Sequence, residues 1–302
     1  LLIVSGLGGD AHYSRVFYEW GASLADAASK LGVPGTNIFF LSENPAGDRR
    51  VAGAPTRDEI RRILSALGGR EGRGSALWVV LIGHGSDRGE PRLSLPGPDL
   101  SARELDSMLG AFSEWKVAVI NTTSASGGFL PVLSRAGRVV ITATRSGFEQ
   151  NQTIFPKFFV EAFAGSGADL NKDGKVSLLE AFVYARNGVR RYYEADQRLL
   201  TEHAMLDDSG DGTGTYEPSE FEGDGALAAR MFLDAGVAPA AVADAELGAL
   251  LSRKDSLEAR IAELRSLRGA MAEEEYERQL EELLVELALV DRAIRERGGR
   301  RQ

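Results

Sequence analysis

The amino-acid sequence predicts an α/β fold: a mostly parallel sheet flanked by helices, with a calcium-loop insertion and a C-terminal helical hairpin. Three observations carry that prediction. Strand-length apolar runs alternate with helical patterns through the first half of the chain, as strand-helix-strand connections require. The runs near residues 80, 120 and 140 are apolar at successive positions, the mark of parallel strands buried on both faces. Beyond residue 244 the apolar residues change to three-and-four spacing, the pattern of a helical seam.

The elements follow in order. Leu1–Ser5 reads as the first strand, followed by a glycine turn and a helix within Ser14–Leu31. Asn37–Leu41 is the second strand, and Thr56 caps a helix Arg57–Leu67, with Glu59 completing a capping box. Leu77–Gly83 is the third strand, and Ser101 caps a short helix that runs to about Phe112. Val117–Asn121 and Val139–Thr144 are the fourth and fifth strands. Helical patterns dominate from Thr153 to Val189, interrupted at 169–180. Residues 207–225 are rich in glycine and acid without a hydrophobic period, which predicts an ordered loop only where something binds it. In the tail, Leu247, Leu250, Leu257, Ile261 and Leu264, then Tyr276, Leu280, Leu283, Leu287, Val290 and Ile294, form two apolar series. They predict antiparallel helices joined near residues 269–272, the second with Glu273–Glu275 as favourable negative charge at its N-terminus. The organisation expected is one domain over 1–240 and a helical hairpin or coiled coil over 241–302, through which the chain could self-associate.

Composition narrows the chemistry. A chain of 302 residues, 43% hydrophobic and 26% charged, has the make-up of a folded soluble protein. Its apolar runs fall well short of the roughly 18 residues of a membrane span. It has no cysteine, which excludes disulfides, thiolate metal sites and a cysteine nucleophile. Most of the net charge of −9 comes from residues 161–225, with 6 basic and 14 acidic side chains. Such local acidity repels phosphate backbones and attracts cations, so nucleic acid is not an expected partner. Leu1 already stands in an apolar run, which fits export after removal of a preceding segment.

The most constrained motif is Asp169-Leu-Asn171-Lys-Asp173-Gly174-Lys175-Val-Ser177-Leu-Leu-Glu180. It matches a twelve-residue calcium loop, with oxygen ligands from Asp169, Asn171 and Asp173, glycine at the sharp turn, the Lys175 carbonyl, Ser177 and a bidentate Glu180. Asp207-Asp-Ser209-Gly-Asp211-Gly212 repeats its opening, but the closing position falls on Pro218, leaving a weaker cation site or a plain acidic turn. Gly6-Leu-Gly8-Gly-Asp-Ala11 formally fits a dinucleotide fingerprint. The second strand ends near Ser42-Glu43, far beyond the usual interval of about 20 residues to a ribose-binding carboxylate, so the motif reads as a tight strand-to-helix turn.

His84-Gly85-Ser86 follows the third strand and Asn121-Thr-Thr-Ser124-Ala-Ser126-Gly127-Gly128 the fourth. In a parallel sheet both lie at the carboxyl end, where α/β proteins put their sites. A histidine there can serve as general base for a neighbouring hydroxyl, and the glycines admit a substrate carbonyl to backbone N–H donors. A second arrangement makes Ser126 the nucleophile of an elbow, with Asp169 or Asp173 and His203 completing a Ser-Asp-His order.

The strand-His-Gly-Ser and strand-Asn-x-x-Ser-x-Ser-Gly-Gly-Phe pair resembles the legumain-like and caspase-like cysteine peptidases. Leu7-Gly-Gly-Asp-Ala-His-Tyr13 and Ile141-Thr-Ala-Thr-Arg-Ser-Gly147 also look like bacterial members of that group, over roughly residues 1–205. The resemblance implies a caspase-like fold, with His84 as base and Ser124 in the place of the nucleophilic cysteine. A hydroxyl is far less ionised than a thiol near neutrality. The expectation is therefore a degenerate peptidase that binds calcium and still accepts a peptide or protein partner in the strand-end cleft. The alternatives are an active serine hydrolase, through Ser124 and His84 or through Ser126 and His203, an engineered cysteine-to-serine change, and a non-enzymatic calcium-stabilised scaffold.

Overall fold

The computed structural model describes residues 1–43, 47–70, 75–165, 167–221, 223–234, 249, 250, 253, 254, 256, 257, 260, 261, 264 and 272–298. The chain divides into two compact units, Leu1–Leu170 with Val176–Gly236, and Asn171–Lys175 with Val237–Gln302. The boundary expected between residues 240 and 241, Leu247, and most of the expected junction at 269–272 lie outside the described residues.

The first unit is α/β. Its strands are β1 (Leu2–Ser5), β2 (Phe39–Ser42), β3 (Val51–Gly53), β4 (Ala76–Ile82), β5 (Gly85–Asp87), β6 (Pro91–Leu93), β7 (Leu100–Ser101), β8 (Lys116–Asn121), β9 (Arg138–Thr142) and β10 (Met205–Asp207). Its helices are α1 (Ala11–Lys30), α2 (Arg57–Gly68), α3 (Ala102–Leu109), α4 (Leu130–Leu133), α5 (Phe155–Glu161) and α6 (Leu178–Ala195). Seven strands form the main sheet in the order β10-β9-β8-β4-β1-β2-β3. Every pairing in it is parallel except that of β10 with β9. The short strands β5, β6 and β7 make a separate antiparallel sheet beside the end of β4.

The apolar strands explain the layering. Successive side chains of a strand point to opposite faces, so β4 sends Trp78, Val80 and Ile82 into one core with α1, α5 and α6, and Leu77, Val79 and Leu81 into another with α2, α3 and α4. All six are at most 3% exposed, and each contributes roughly 1.5–3 kcal/mol by leaving water. The helices complement them with one apolar stripe each. α6 buries Leu178, Ala181, Phe182, Ala185 and Val189, the three-and-four spacing of a single face.

Local signals set the helix starts. Asp10 accepts the Tyr13 N–H at the head of α1, so the Gly6–Ala11 turn ends in an N-cap. Ser101 with Glu104 and Ser177 with Glu180 form reciprocal capping boxes. The box expected at Thr56 is only half made. Thr56 accepts the Glu59 N–H, while the Glu59 carboxylate pairs with Arg62 one turn on.

The second unit contains α7 (Glu273–Gly298) and described helical residues at 249–264. Leu257, Ile261 and Leu264 share one buried cluster with Tyr276, Leu283, Val290 and Ile294, with Leu250, Leu280 and Leu287 packed against it. Arg253 pairs with Glu286, and Lys254 Nζ lies 3.2 Å from Asp291. The early residues of the first arm thus meet the later half of α7, an antiparallel arrangement. Among the described residues no helix is long and apolar enough to cross a membrane.

Candidate functional site

The parallel strands run β2-β1-β4-β8-β9 across the sheet, so the chain leaves β1 toward one edge and returns on its other side at β4. Such a reversal opens a crevice at the carboxyl ends of the two strands, the usual place for a ligand in open α/β sheets. His84 and the Gly6–Gly8 turn stand there. The His84 Nε2 lies 3.2 Å from the Gly8 carbonyl oxygen, so that nitrogen is the donor in the bond. The imidazole is edge-on to Tyr13 and Phe17, with ring centroids 4.9 and 5.0 Å away. These contacts from α1 fix its orientation.

Ser124 sits just beyond β8, the direct neighbour of β4, and is 3% exposed. Its Oγ donates to the Gly85 carbonyl and accepts from the Gly85 N–H, both at 3.1 Å. The sequence therefore brings His84 and Ser124 to adjacent strand ends, yet each meets a different backbone group. Gly85 is needed for this approach, because a Cβ there would collide with the Ser124 carbonyl and the Thr123 hydroxyl. The surrounding turn is stitched by other hydroxyls. Thr122 Oγ1 donates to the Leu81 carbonyl at 2.8 Å, and Thr153 Oγ1 to the Thr122 carbonyl at 2.6 Å.

Ser126 has a different environment. Its Oγ is fully buried and accepts the N–H groups of Ala143 and Thr144 at 3.0 and 3.1 Å, tying the β8 turn to the end of β9. The residue in the left-handed region is Ala125, at φ 53, a conformation that costs a residue with a Cβ about 1–2 kcal/mol. The Ser126 hydroxyl of the alternative elbow is thus engaged in an internal crosslink.

His203 does not meet Ser126. Its Nδ1 lies 2.7 Å from Glu149 Oε1, and Glu149 Oε2 accepts the backbone N–H groups of His203 and Arg145, both at 3.0 Å. The Glu149 carbonyl accepts the Ala125 N–H at 2.8 Å. One glutamate thereby joins the turns after β8 and β9 to the approach of β10. Sequence reasoning missed it, because nothing local links residues 54 apart. Glu202 caps α5 by accepting the Ile154 and Phe155 N–H groups at 2.9 and 3.1 Å. Burial pushes its carboxyl up to about 7.

In the 169–180 segment, Asn171 Oδ1 accepts the Asp173 N–H and Asp173 Oδ1 the Lys175 N–H, both at 2.9 Å. Gly174 takes φ 88, the backbone path that the glycine of a calcium loop supplies. Glu180 accepts the Leu170 N–H on one oxygen at 3.0 Å and the Ser177 N–H and hydroxyl on the other at 2.8 Å. Lys254 Nζ is 3.7 Å from Asp173 Oδ2. Among the described residues no three His, Asp or Glu side chains are already gathered as a metal cluster.

The loop after β10 supplies its own donors. Asp207 accepts the Gly210 and Gly212 N–H groups, and Asp208 those of Gly225, Leu227 and Ala228. Asp224 accepts the N–H groups of Asp208 and Ser209. Its carboxyl is raised by burial, with the charge of Asp207 adding to the effect. The segment expected to need a ligand for order is held by backbone hydrogen bonds to three buried carboxylates.

No family model and no curated protein matches the chain. Among solved structures, protein GSU0716 from Geobacter sulfurreducens is 14% identical, with 58% of this chain and 83% of that one covered at a TM-score of 0.36.

Proposed function

We propose that the chain is a caspase- and legumain-like protein that has lost peptidase activity and works as a calcium-binding interaction module. The observation that carries the proposal is the closed exchange between Ser124 Oγ and both backbone groups of Gly85. An acyl-transfer site needs a hydroxyl aimed at the substrate and an N–H left for the developing oxyanion. Here the hydroxyl proton goes to a carbonyl, and the N–H closest to hand goes to the hydroxyl. His84, held by the Gly8 carbonyl and two aromatic rings, keeps the base position without a hydroxyl to deprotonate. In the same reading Asp169, Asn171, Asp173, the Lys175 carbonyl, Ser177 and Glu180 bind calcium, supported by the motif and the Gly174 turn.

Hydrolysis of a library of fluorogenic peptides by the wild type, Ser124→Cys and Ser124→Cys with His84→Ala tests the proposal. A thiol accepts and donates hydrogen bonds weakly and ionises more readily than a hydroxyl. The wild type should be inert, Ser124→Cys should gain turnover, and loss of His84 should remove that gain. Turnover by the wild type that disappears in Ser124→Ala would make it a serine hydrolase instead. An inert Ser124→Cys variant would leave the scaffold role alone.

A further inference from the structure

Among the described residues the leucine seam is buried within the second unit, so association through α7 would use another of its faces. α7 has one. Opposite the seam, Leu284, Val285 and Leu289 are 38%, 54% and 52% exposed, and Ala288 between them is exposed as well. At about 100° per residue these four form one stripe on the helix. Glu281 and Arg292, both exposed, continue it at either end. The spacing Glu281, Val285, Ala288, Arg292 runs four, three, four, which is the repeat of a pairing helix.

We propose that this stripe is a self-association surface, on which α7 packs antiparallel against α7 of a second copy of the chain. The occupant follows from the order of residues along the stripe. An antiparallel pair with its two-fold axis between residues 286 and 287 puts Val285 of each copy against Ala288 of the other. The same register sets Glu281 opposite Arg292, twice. Leu284 closes one flank against its own equivalent, and Leu289 the other. A parallel pair would instead oppose Glu281 to Glu281 and Arg292 to Arg292, and like charges across an interface are repelled. Apolar centre and charged ends are therefore self-complementary in one orientation, as an isologous contact requires.

Sedimentation equilibrium of the full chain over a dilution series tests the proposal. The expected result is a reversible monomer–dimer equilibrium. Val285→Glu with Leu289→Glu should leave a monomer at every concentration, with helical circular dichroism unchanged because both positions face solvent in the monomer. Glu281→Arg alone and Arg292→Glu alone should each weaken the dimer about tenfold or more, and the two together should restore it, since the swap re-creates opposite charges in the same register. A wild-type monomer throughout would overturn the proposal. So would a dimer indifferent to the Val285 and Leu289 changes, or a double charge swap that fails to recover association.

Discussion

Two acidic loops of this molecule open with nearly the same residues and solve the problem of their charge differently. Asp169-Leu-Asn171-Lys-Asp173-Gly174 and Asp207-Asp-Ser209-Gly-Asp211-Gly212 both place oxygens at alternate positions and a glycine sixth. In the loop after β10, buried carboxylates turn inward and accept backbone N–H groups from their own loop and from residues 225–228. In the earlier loop Glu180 is just as buried but closes a capping box at the head of its own helix, and Asp173 lies beside the ammonium of Lys254. The shared start, with oxygen-bearing side chains first, third and fifth and glycine sixth, is thus compatible with two different sets of partners. What differs is the donor set: Asp208 draws on residues 225–228 across the chain, whereas Asn171, Asp173 and Glu180 bond within their own loop.

The contrast can be broken by mutation. The largest effect should come from Asp208→Ala, which strands three backbone N–H groups and should cost about 3 kcal/mol or more, read as a fall in thermal midpoint. Asn171→Ala, at an exposed position of the earlier loop, should cost under about 1 kcal/mol. Equal losses would erase the distinction.

Calcium sharpens it next. At about a hundredfold excess over its dissociation constant, calcium should add roughly 3 kcal/mol to the stability of the wild type. Glu180→Gln keeps the capping box but loses the charged bidentate ligand, so the increment should vanish. Asp207→Asn should retain it. Calorimetry of the three proteins with and without chelator reads the outcome, and a calcium response that follows Asp207 would reverse the assignment.

A smaller and symmetric effect is expected at the sixth positions. Gly174 and Gly212 adopt φ 88 and 80, where a Cβ costs about 1–2 kcal/mol. Gly→Ala should lower stability by a similar amount in each loop without added metal, because the backbone demand is shared even though the neutralisation is not. Chemical denaturation midpoints would check this.

The smallest effect concerns pH. Burial raises the Asp224 carboxyl above its ordinary value, so the folded state holds that proton more tightly than the unfolded chain. The associated stabilisation is complete below the unfolded pKa and is lost as pH rises through the folded one. Asp224→Asn cannot titrate but keeps an oxygen for the Asp208 and Ser209 N–H groups. Its stability relative to the wild type should grow as pH rises through that window. A difference independent of pH would mean that Asp224 is not the titrating group.

Much of this architecture was legible in the sequence because burial leaves a strong record. The strands at Leu2–Ser5, Ala76–Ile82 and Lys116–Asn121 could be read from apolar runs, and the adjacency of His84 and Ser124 from their strand-end positions. Three features were not legible. The sheet β5-β6-β7 is made of two- and three-residue strands with glycine and proline, too short to show a period. The engagement of Ser124 with Gly85 depends on which way one hydroxyl turns. The Glu149–His203 pair and the donors to Asp208 join distant segments, and sequence spacing carries no trace of such contacts.

The ends of the main sheet have a consequence for how this chain behaves in a crowded solution. An unpaired strand edge is a template on which foreign strands can add, and its danger grows with its length. Among the described residues one border is β3 and the other β10, each only three residues long, and the outward backbone groups of Leu206 in β10 are already bonded to Thr215. The long, strongly apolar strands β4 and β8 lie in the interior of the order. Fibrillar growth by recruitment at the margins would find little backbone to copy, so heating or concentration should expose aggregation-prone segments only after the sheet itself has opened.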